Sequence, residues 1–503
     1  MKNEIINAID NVIYDGDLPS ENLVLSNLEF LGDLEENEKI IISEKIIKWT
    51  AEHNTWQLYP QRNRTLICIV HALKLKNLTL KLLLEELINR NPYEEKMDSF
   101  WRYVEELFYC NHPDSARLSN HLFKSLIEFI PDSTGPKDSE IIDSEIDILI
   151  VTHQFLSLPH APTIDAINYV KALFSLGRNV EILITNEYIG LPEKEWPRTA
   201  SFRDDLLGHF QLDIGETIIR GIGLKQIQSI ENIQKTVNYY RERRPKLVIS
   251  LGSHSIYSEA LGKYAKLITI PFSTEFVYSK YSKIIVWFSG DESKIQELWN
   301  EYEIENVKIV TEINYQYQTP KNKKIVLRSE LSVNPTHKIG VIVGNRLDFD
   351  LDNYFLDYLD ILMRSHPITL IIVGAVKESK RLELEARFEG TIVFVKYHPN
   401  LIDLYSAVDF FLNPKRLGGG TAAAHALAAG LLVFTLDYGD VSKVAISECI
   451  FENYKDMCRI GEILENDLKS SLYKTKSIEK FKLISSKKLI LEKLIVLSEI
   501  FNV

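Results

Sequence analysis

The sequence is short of cysteine, of long apolar runs and of positive charge, and each shortage removes a class of protein. Its four cysteines (Cys68, Cys110, Cys449 and Cys458) are scattered over 503 residues. They lack metal-ligand spacing and read as reduced core residues of a cytoplasmic protein rather than a disulfide framework. No run approaches the roughly 18 apolar residues that span a bilayer. The apolar stretches, such as Ile148 to Val151 and Leu370 to Val373, have strand length. The opening MKNEIINAID carries no apolar core of a secretory signal. Lys and Arg number 58 against 70 Asp and Glu, a formal net charge of -12. Such a chain lacks the concentrated cations that grip nucleic-acid phosphates. A local cationic pocket within it still suits an anionic substrate. Neither HExxH, nor paired CxxC, nor an EF-hand loop occurs, so no bound metal is expected.

What is present is patterned in two ways. Residues 1–135 read as helices: LTLKLLLEELINR, SFWRYVEELFYC and NHPDSARLSNHLFKSLIEFI place apolar residues at helical spacing. PDSTGPKDSE, Pro131 to Glu140, breaks that period and reads as a linker. From Ile146 strands alternate with helices. IDILIVT, NVEILIT, KLVISLG and KLITIPF read as strands, with helical stretches such as IDAINYVKALFSLG and SIYSEALGKYA between them. A second series starts near His337 with HKIGVIVG, ITLIIVG, GTIVFVKY, DFFLNP and LLVFTLD. Such alternation predicts βαβ units and a parallel sheet in each half. The expected architecture is α/β: a helical accessory domain at 1–135 and Rossmann-like domains at 145–325 and 335–475. A C-terminal helix at 476–503 completes it. Each sheet would present one wall of a shared cleft, because open α/β sheets bind ligands beyond the carboxyl ends of their strands.

The most informative segment is NPKRLGGGTAAAHALAAG, Asn413 to Gly430. A strand precedes it and a helix follows. Glycines at such a turn let backbone amides approach an anion, and the helix N-terminus adds partial positive charge. Lys415 and Arg416 add full charges, and Thr421 a hydroxyl. Gly419, Gly420 and Thr421 with the two cations read as a diphosphate cradle. The segment is neither a Walker A loop nor the dinucleotide fingerprint.

This stretch and its surroundings resemble the donor domain of nucleotide-sugar glycosyltransferases of the GT-B, glycogen-synthase-like group, in a bacterial glycan-assembly version. The carrying residues are Leu404, Tyr405, Ala407 and Asp409 of an LY-x-A-x-D unit, then the glycine-rich loop, then Ala428 to Gly430. The likeness covers about 340 to 445 well and 146 to 285 more loosely, and stops short of the N-terminal helices. It implies two Rossmann-like domains and transfer of a sugar from a nucleotide sugar, with a UDP-linked donor as substrate and no cofactor. It also implies a role for Arg346, which matches the arginine of the family's Gly-Arg-Leu and would reach the donor diphosphate. Tyr397 and His398 fall where the family contacts the nucleobase. His425, one helical turn along, would bond the ribose.

One departure opens a second reading. The family's retaining members carry two glutamates at the positions held here by Leu417 and His425. Without them, the chain also fits a binding module, a degenerate GT-B chaperone or activator of a partner glycosyltransferase. His425 then reads as an ordinary helix histidine.

In the first half, the loop HQFLSLPHAPT offers His160 between two prolines as the general base toward the acceptor. Protein O-GlcNAc transferase and the bacterial N-glucosyltransferases are similar in having a histidine in the corresponding loop. LGSHSIYSEA offers His254, and IPFSTEFVYSK offers Glu275, as residues lining the acceptor and sugar side. Ser253 and Ser255 fit a plain helix N-cap equally well. The acceptor expected is a protein side chain or a glycan.

Overall fold

Short runs of Val, Ile and Leu bounded by glycine, proline and polar turns become the strands of two sheets. The structure is a computed structural model. It describes residues 2–14, 34–52, 115–130, 146–156, 161–187, 203–225, 230–311, Tyr317 and 325–485, together with single positions between 20 and 104. Residues 129, 216, 253, 289, 332, 345, 346, 397 and 399 fall outside that description. The chain forms two units, one built on Met1–Thr311 and the other on Glu312–Leu497.

The first sheet holds β1 (Ile148–Thr152), β2 (Val180–Ile184), β3 (Gly208–Asp213), β4 (Ile218–Gly223), β5 (Leu247–Leu251), β6 (Lys266–Ile270), β7 (Ser282–Val286) and β8 (Lys308–Val310). Their order is β3-β4-β2-β1-β5-β6-β7-β8. Every pairing is parallel except β3 with β4. β1, β2 and β5 are buried along their whole length, as strands covered on both faces must be. Ile148 stands in register with Val180 on one side and Leu247 on the other. The strand order therefore reverses at β1, which puts the switch point between the carboxyl ends of β1 and β5.

The helices of this unit are α1 (Lys2–Tyr14), α2 (Glu36–Glu52), α3 (Ser115–Ile127), α4 (Ala161–Ser175), α5 (Ile230–Arg243), α6 (Ile256–Gly262) and α7 (Ile295–Tyr302). Ile9, Val12, Ile46, Phe123 and Leu126 of the first three share one apolar core with Val151, Tyr257 and Ile285 of the α/β part. Polar bonds reinforce the join: Arg117 and His121 of α3 both meet Glu301 near the end of α7. The helical readings of Leu78 to Arg90 and Ser99 to Cys110 lie outside the described residues, apart from Phe100 and Val104.

The second sheet holds β9 (Lys338–Val343), β10 (Ile368–Val373), β11 (Ile392–Val395), β12 (Phe410–Leu412), β13 (Leu432–Leu436) and β14 (Ile450–Phe451), all parallel, in the order β11-β10-β9-β12-β13-β14. Its order reverses at β9. The helices are α8 (Leu347–Asp350), α9 (Asn353–Ser365), α10 (Glu378–Arg387), α11 (Leu401–Tyr405), α12 (Gly420–Ala428), α13 (Gly439–Val444), α14 (Tyr454–Met457), α15 (Ile460–Glu465) and α16 (Asp467–Ile484). The LY-x-A-x-D residues are packing devices. The Tyr405 hydroxyl donates to the Ala422 carbonyl at 3.1 Å, and the Asp409 carboxylate accepts from Ile339 N at 2.8 Å and from Arg328 at 2.6 Å. The last described helix starts at Asp467 rather than 476, because the Asn466 side chain caps it by accepting from Lys469 N.

Candidate functional site

In the second unit, β12 runs into a turn, Asn413 to Gly419, that opens α12. Gly418 and Gly419 have φ of 81° and 91°. Side-chain-bearing residues avoid that left-handed region. Gly419 occupies the N-cap and, having no side chain, supplies no side-chain cap to the first turn of α12.

The two cations of this turn go separate ways. Lys415 is exposed, and its ammonium lies 5.3 Å from the centre of the Tyr438 ring. Its backbone N–H donates to the Tyr454 hydroxyl at 3.0 Å. Arg416 is 3% exposed. Its guanidinium donates to Asn413 Oδ1 at 2.8 Å, Val343 O at 2.7 Å and Asp350 Oδ2 at 3.3 Å. Asn413 in turn donates to Thr435 Oγ1 at 3.1 Å. The sequence expectation put both cations on the donor diphosphate. Here Arg416 spends its donors on the ends of β9, α8 and β12, and supports the turn from beneath.

Two glycines make room for that arginine. A Cβ on Gly419 would stand 2.8 Å from Nη2, and one on Gly344 would stand 2.5 Å from Nη1. Gly420 starts α12 with Tyr317 beside it, where a Cβ would come within 2.6 Å of the phenol oxygen. Thr421 follows half-buried. His425 lies further along α12, where burial pushes its imidazole down to about 4 and keeps it neutral at physiological pH. His398 Nδ1 accepts from the backbone N–H of Asn400 at 3.3 Å, at the start of α11. Arg346 and Tyr397 lie outside the described residues.

In the first unit, the residues that gather at the switch point are His153, Gly252, His254, Ser255 and Glu187. His153 follows β1 and is 3% exposed. Gly252 follows β5 at φ 113°, and a Cβ there would stand 2.3 Å from His153 Cε1. His254 is buried, with φ 56°. Its Nε2 bonds Asn120 Oδ1 at 2.8 Å, and burial pushes its imidazole down to about 3. Glu187, beyond β2, accepts from Thr185 Oγ1 at 2.7 Å, Ser255 Oγ at 2.7 Å and Ile256 N at 2.8 Å. Burial outweighs those bonds and pushes the carboxyl up to about 7. Glu275 is exposed in the loop after β6, and His160 lies outside the described residues.

Glu187, Asn120 and Asp350 escaped the sequence reading. Glu187 alone left a signal, a carboxylate just past the apolar run NVEILIT. Asn120 and Asp350 meet His254 and Arg416 from 134 and 66 positions away, where no local pattern reports them. Among the described residues, no group of three or more His, Cys, Asp or Glu could hold a metal, and no helix is long and apolar enough to cross a membrane.

Residues 339–457 match the family described as Glycosyl transferases group 1. No curated protein matches the chain. Among solved structures, a mutant form of the O-GlcNAc transferase of Thermobaculum terrenum is similar, at 14% identity and a TM-score of 0.53 over 99% of this chain and 98% of that one. A glycosyltransferase of Rickettsia africae is similar at 16% identity and a TM-score of 0.50, over 71% of this chain and 99% of that one. The fold is GT-B, and residues 339–457 of the second unit form a domain that matches the group 1 glycosyl transferases.

Proposed function

We propose that this GT-B glycosyltransferase moves a hexose or N-acetylhexosamine from a UDP-linked donor to a protein or glycan acceptor. The observation that carries the proposal is the turn at Gly418 and Gly419. Two left-handed glycines lead into the N-terminus of α12, whose partial positive charge suits an anion, in a domain matched to the group 1 family. In this reading the amides of Gly419, Gly420 and Thr421 hold the donor diphosphate, with exposed Lys415 beside them. The leaving nucleoside diphosphate gains negative charge as the glycosidic bond breaks, and preorganised donors act most strongly at that moment. Arg346 joins the diphosphate, Tyr397, His398 and His425 the nucleoside, and His160 takes the acceptor proton; these roles come from the sequence. His254 and Glu275 belong to the acceptor side, at the first sheet. Likeness along nearly the whole chain to a protein named as an O-GlcNAc transferase supports N-acetylglucosamine as the sugar.

A second reading, a catalytically degenerate subunit that serves a partner glycosyltransferase, rests on Leu417 and His425 standing where the family has carboxylates. The side chain of Leu417 carries no polar atom, and His425 is held uncharged. One experiment separates the two. Calorimetry with UDP, GDP and ADP is followed by assay of UDP release from UDP-glucose and UDP-N-acetylglucosamine with candidate acceptors. Selective UDP binding with turnover supports the transferase. Binding of a partner glycosyltransferase with no turnover supports the subunit, and indifference to every nucleotide overturns the transferase.

A further inference from the structure

The loop between β5 and α6 is an unusual piece of backbone. Gly252 and His254, two positions apart, both have φ in the left-handed region, at 113° and 56°. A non-glycine residue held there costs free energy and persists only where its surroundings impose it. Two clamps impose it. From inside the sheet, Glu187 accepts from Ser255 Oγ and Ile256 N. From the helical segment, Asn120 of α3 reaches His254.

Asn120 is 1% exposed and fully committed to the α/β part of its unit. Its Nδ2 donates to Phe276 O at 2.9 Å, while Oδ1 accepts from Tyr278 N at 2.8 Å. Those bonds fix which end of the amide faces His254. The oxygen does, so Nε2 of His254 carries the proton and donates. The rings of Phe100 and Phe123 close on the imidazole edge to face, with centroids 5.6 and 4.9 Å away. A single side chain from the helical segment thus sets both the tautomer and the position of a histidine at the switch point.

We propose that Asn120 is a positioning residue for sugar transfer: through His254 it holds the β5–α6 loop in the shape that the acceptor side of the first sheet requires. The helical segment then serves the reaction as a brace, beyond any part it plays in docking an acceptor. This inference rests on the reading that the first sheet serves the acceptor side.

The test compares Asn120→Asp with Asn120→Leu in the full chain. Aspartate keeps an acceptor oxygen for Tyr278 N and His254 Nε2 and gives up only the donor to Phe276 O, whereas leucine keeps the bulk and removes all three bonds. In the leucine variant, kcat for UDP release from UDP-N-acetylglucosamine or UDP-glucose falls about a hundredfold, the scale of a small misplacement near a reaction centre. The dissociation constant for UDP stays at the wild-type value. The aspartate variant recovers most of the loss. Hydrogen exchange of the 252–262 segment speeds up in the leucine variant and not at 418–428, and thermal unfolding verifies that both variants are folded. A folded leucine variant with wild-type kcat, or with unchanged exchange at 252–262, overturns the inference, as does equal loss in both variants. A wild type that releases no UDP overturns the transfer reading instead, and the exchange result still decides whether Asn120 holds the loop.

Discussion

Arg416 and Asp350 form an ion pair at 3.3 Å, and each residue is only 3% exposed. They lie 66 positions apart, one before the helix α12 and one at the end of α8. Burying both charges costs solvation, which their attraction and the further bonds of Arg416 to Asn413 and Val343 offset. The pair therefore acts as a tie between the turn before α12 and the end of α8.

Removing one partner strands the other charge in the interior. Arg416→Met is expected to destabilise the second unit by about 3–5 kcal/mol. Adding Asp350→Asn to it should restore a large part of that loss, since no charge then remains buried alone. Urea unfolding of the two single variants and the double variant measures the coupling. Strictly additive losses would mean that the two side chains do not depend on each other.

Gly419 ties this support to the proposed diphosphate site. Gly419→Ala forces a side-chain residue into φ 91° and drives a methyl to within 2.8 Å of Arg416 Nη2. The backbone alone accounts for about 1–2 kcal/mol. UDP affinity is expected to fall about tenfold or more as the amides at the start of α12 lose alignment. Gly177→Ala is the matched control: φ there is 73°, but a Cβ meets nothing within 4 Å. It should cost stability and leave UDP binding intact.

Lys415 tests the other cation. Because it is exposed, Lys415→Ala should leave stability within about 0.5 kcal/mol of wild type. The dissociation constant for UDP should rise about tenfold at low salt, with a smaller difference at high salt as screening removes the advantage of the charge. Calorimetry at two ionic strengths measures both effects. Unchanged affinity would move the diphosphate away from this turn.

Much of the fold was legible because buried parallel strands leave unbroken apolar runs. IDILIVT, NVEILIT and ITLIIVG fall on β1, β2 and β10. The β3–β4 hairpin escaped that reading for the opposite reason. It lies at the sheet edge, and β3, the outer strand, exposes five of its six residues wholly or in part on top of a polar sequence, GHFQLD, that signals no core. The turn before α12 was legible because its geometry is local: Gly418 and Gly419 of NPKRLGGGT fall at left-handed positions. Burial was not legible. Lys415 and Arg416 are adjacent cations in the sequence, and only their surroundings send one to solvent and the other to Asp350.

Glu187 carries a pH signature whose sign follows from its burial. Its carboxyl is pushed up from an ordinary 4.5 to about 7, chiefly by burial. Between those values the folded chain holds a proton that the unfolded chain has released, so this group makes stability fall as pH rises. Glu259, also raised to about 7, acts in the same direction. His254, pushed down to about 3, acts in the opposite direction up to its ordinary 6.5, because there the unfolded chain holds the extra proton. Replacing Glu187 by glutamine removes one falling contribution and leaves the others in place. A glutamine can place its oxygen to accept from Ile256 N while its NH2, in the place of Oε2, donates to the hydroxyl of Ser255 or Thr185, which can rotate to accept. The stability of Glu187→Gln relative to wild type should therefore climb by about 1.4 kcal/mol per pH unit across this window. The gain should reach about 3 kcal/mol near neutrality. Urea unfolding of the first unit at about pH 5, 6 and 7 measures the slope. A difference that stays constant with pH would mean that the carboxylate is ionised in the folded protein, and that Ser255 and Ile256 bond a charged rather than a neutral group.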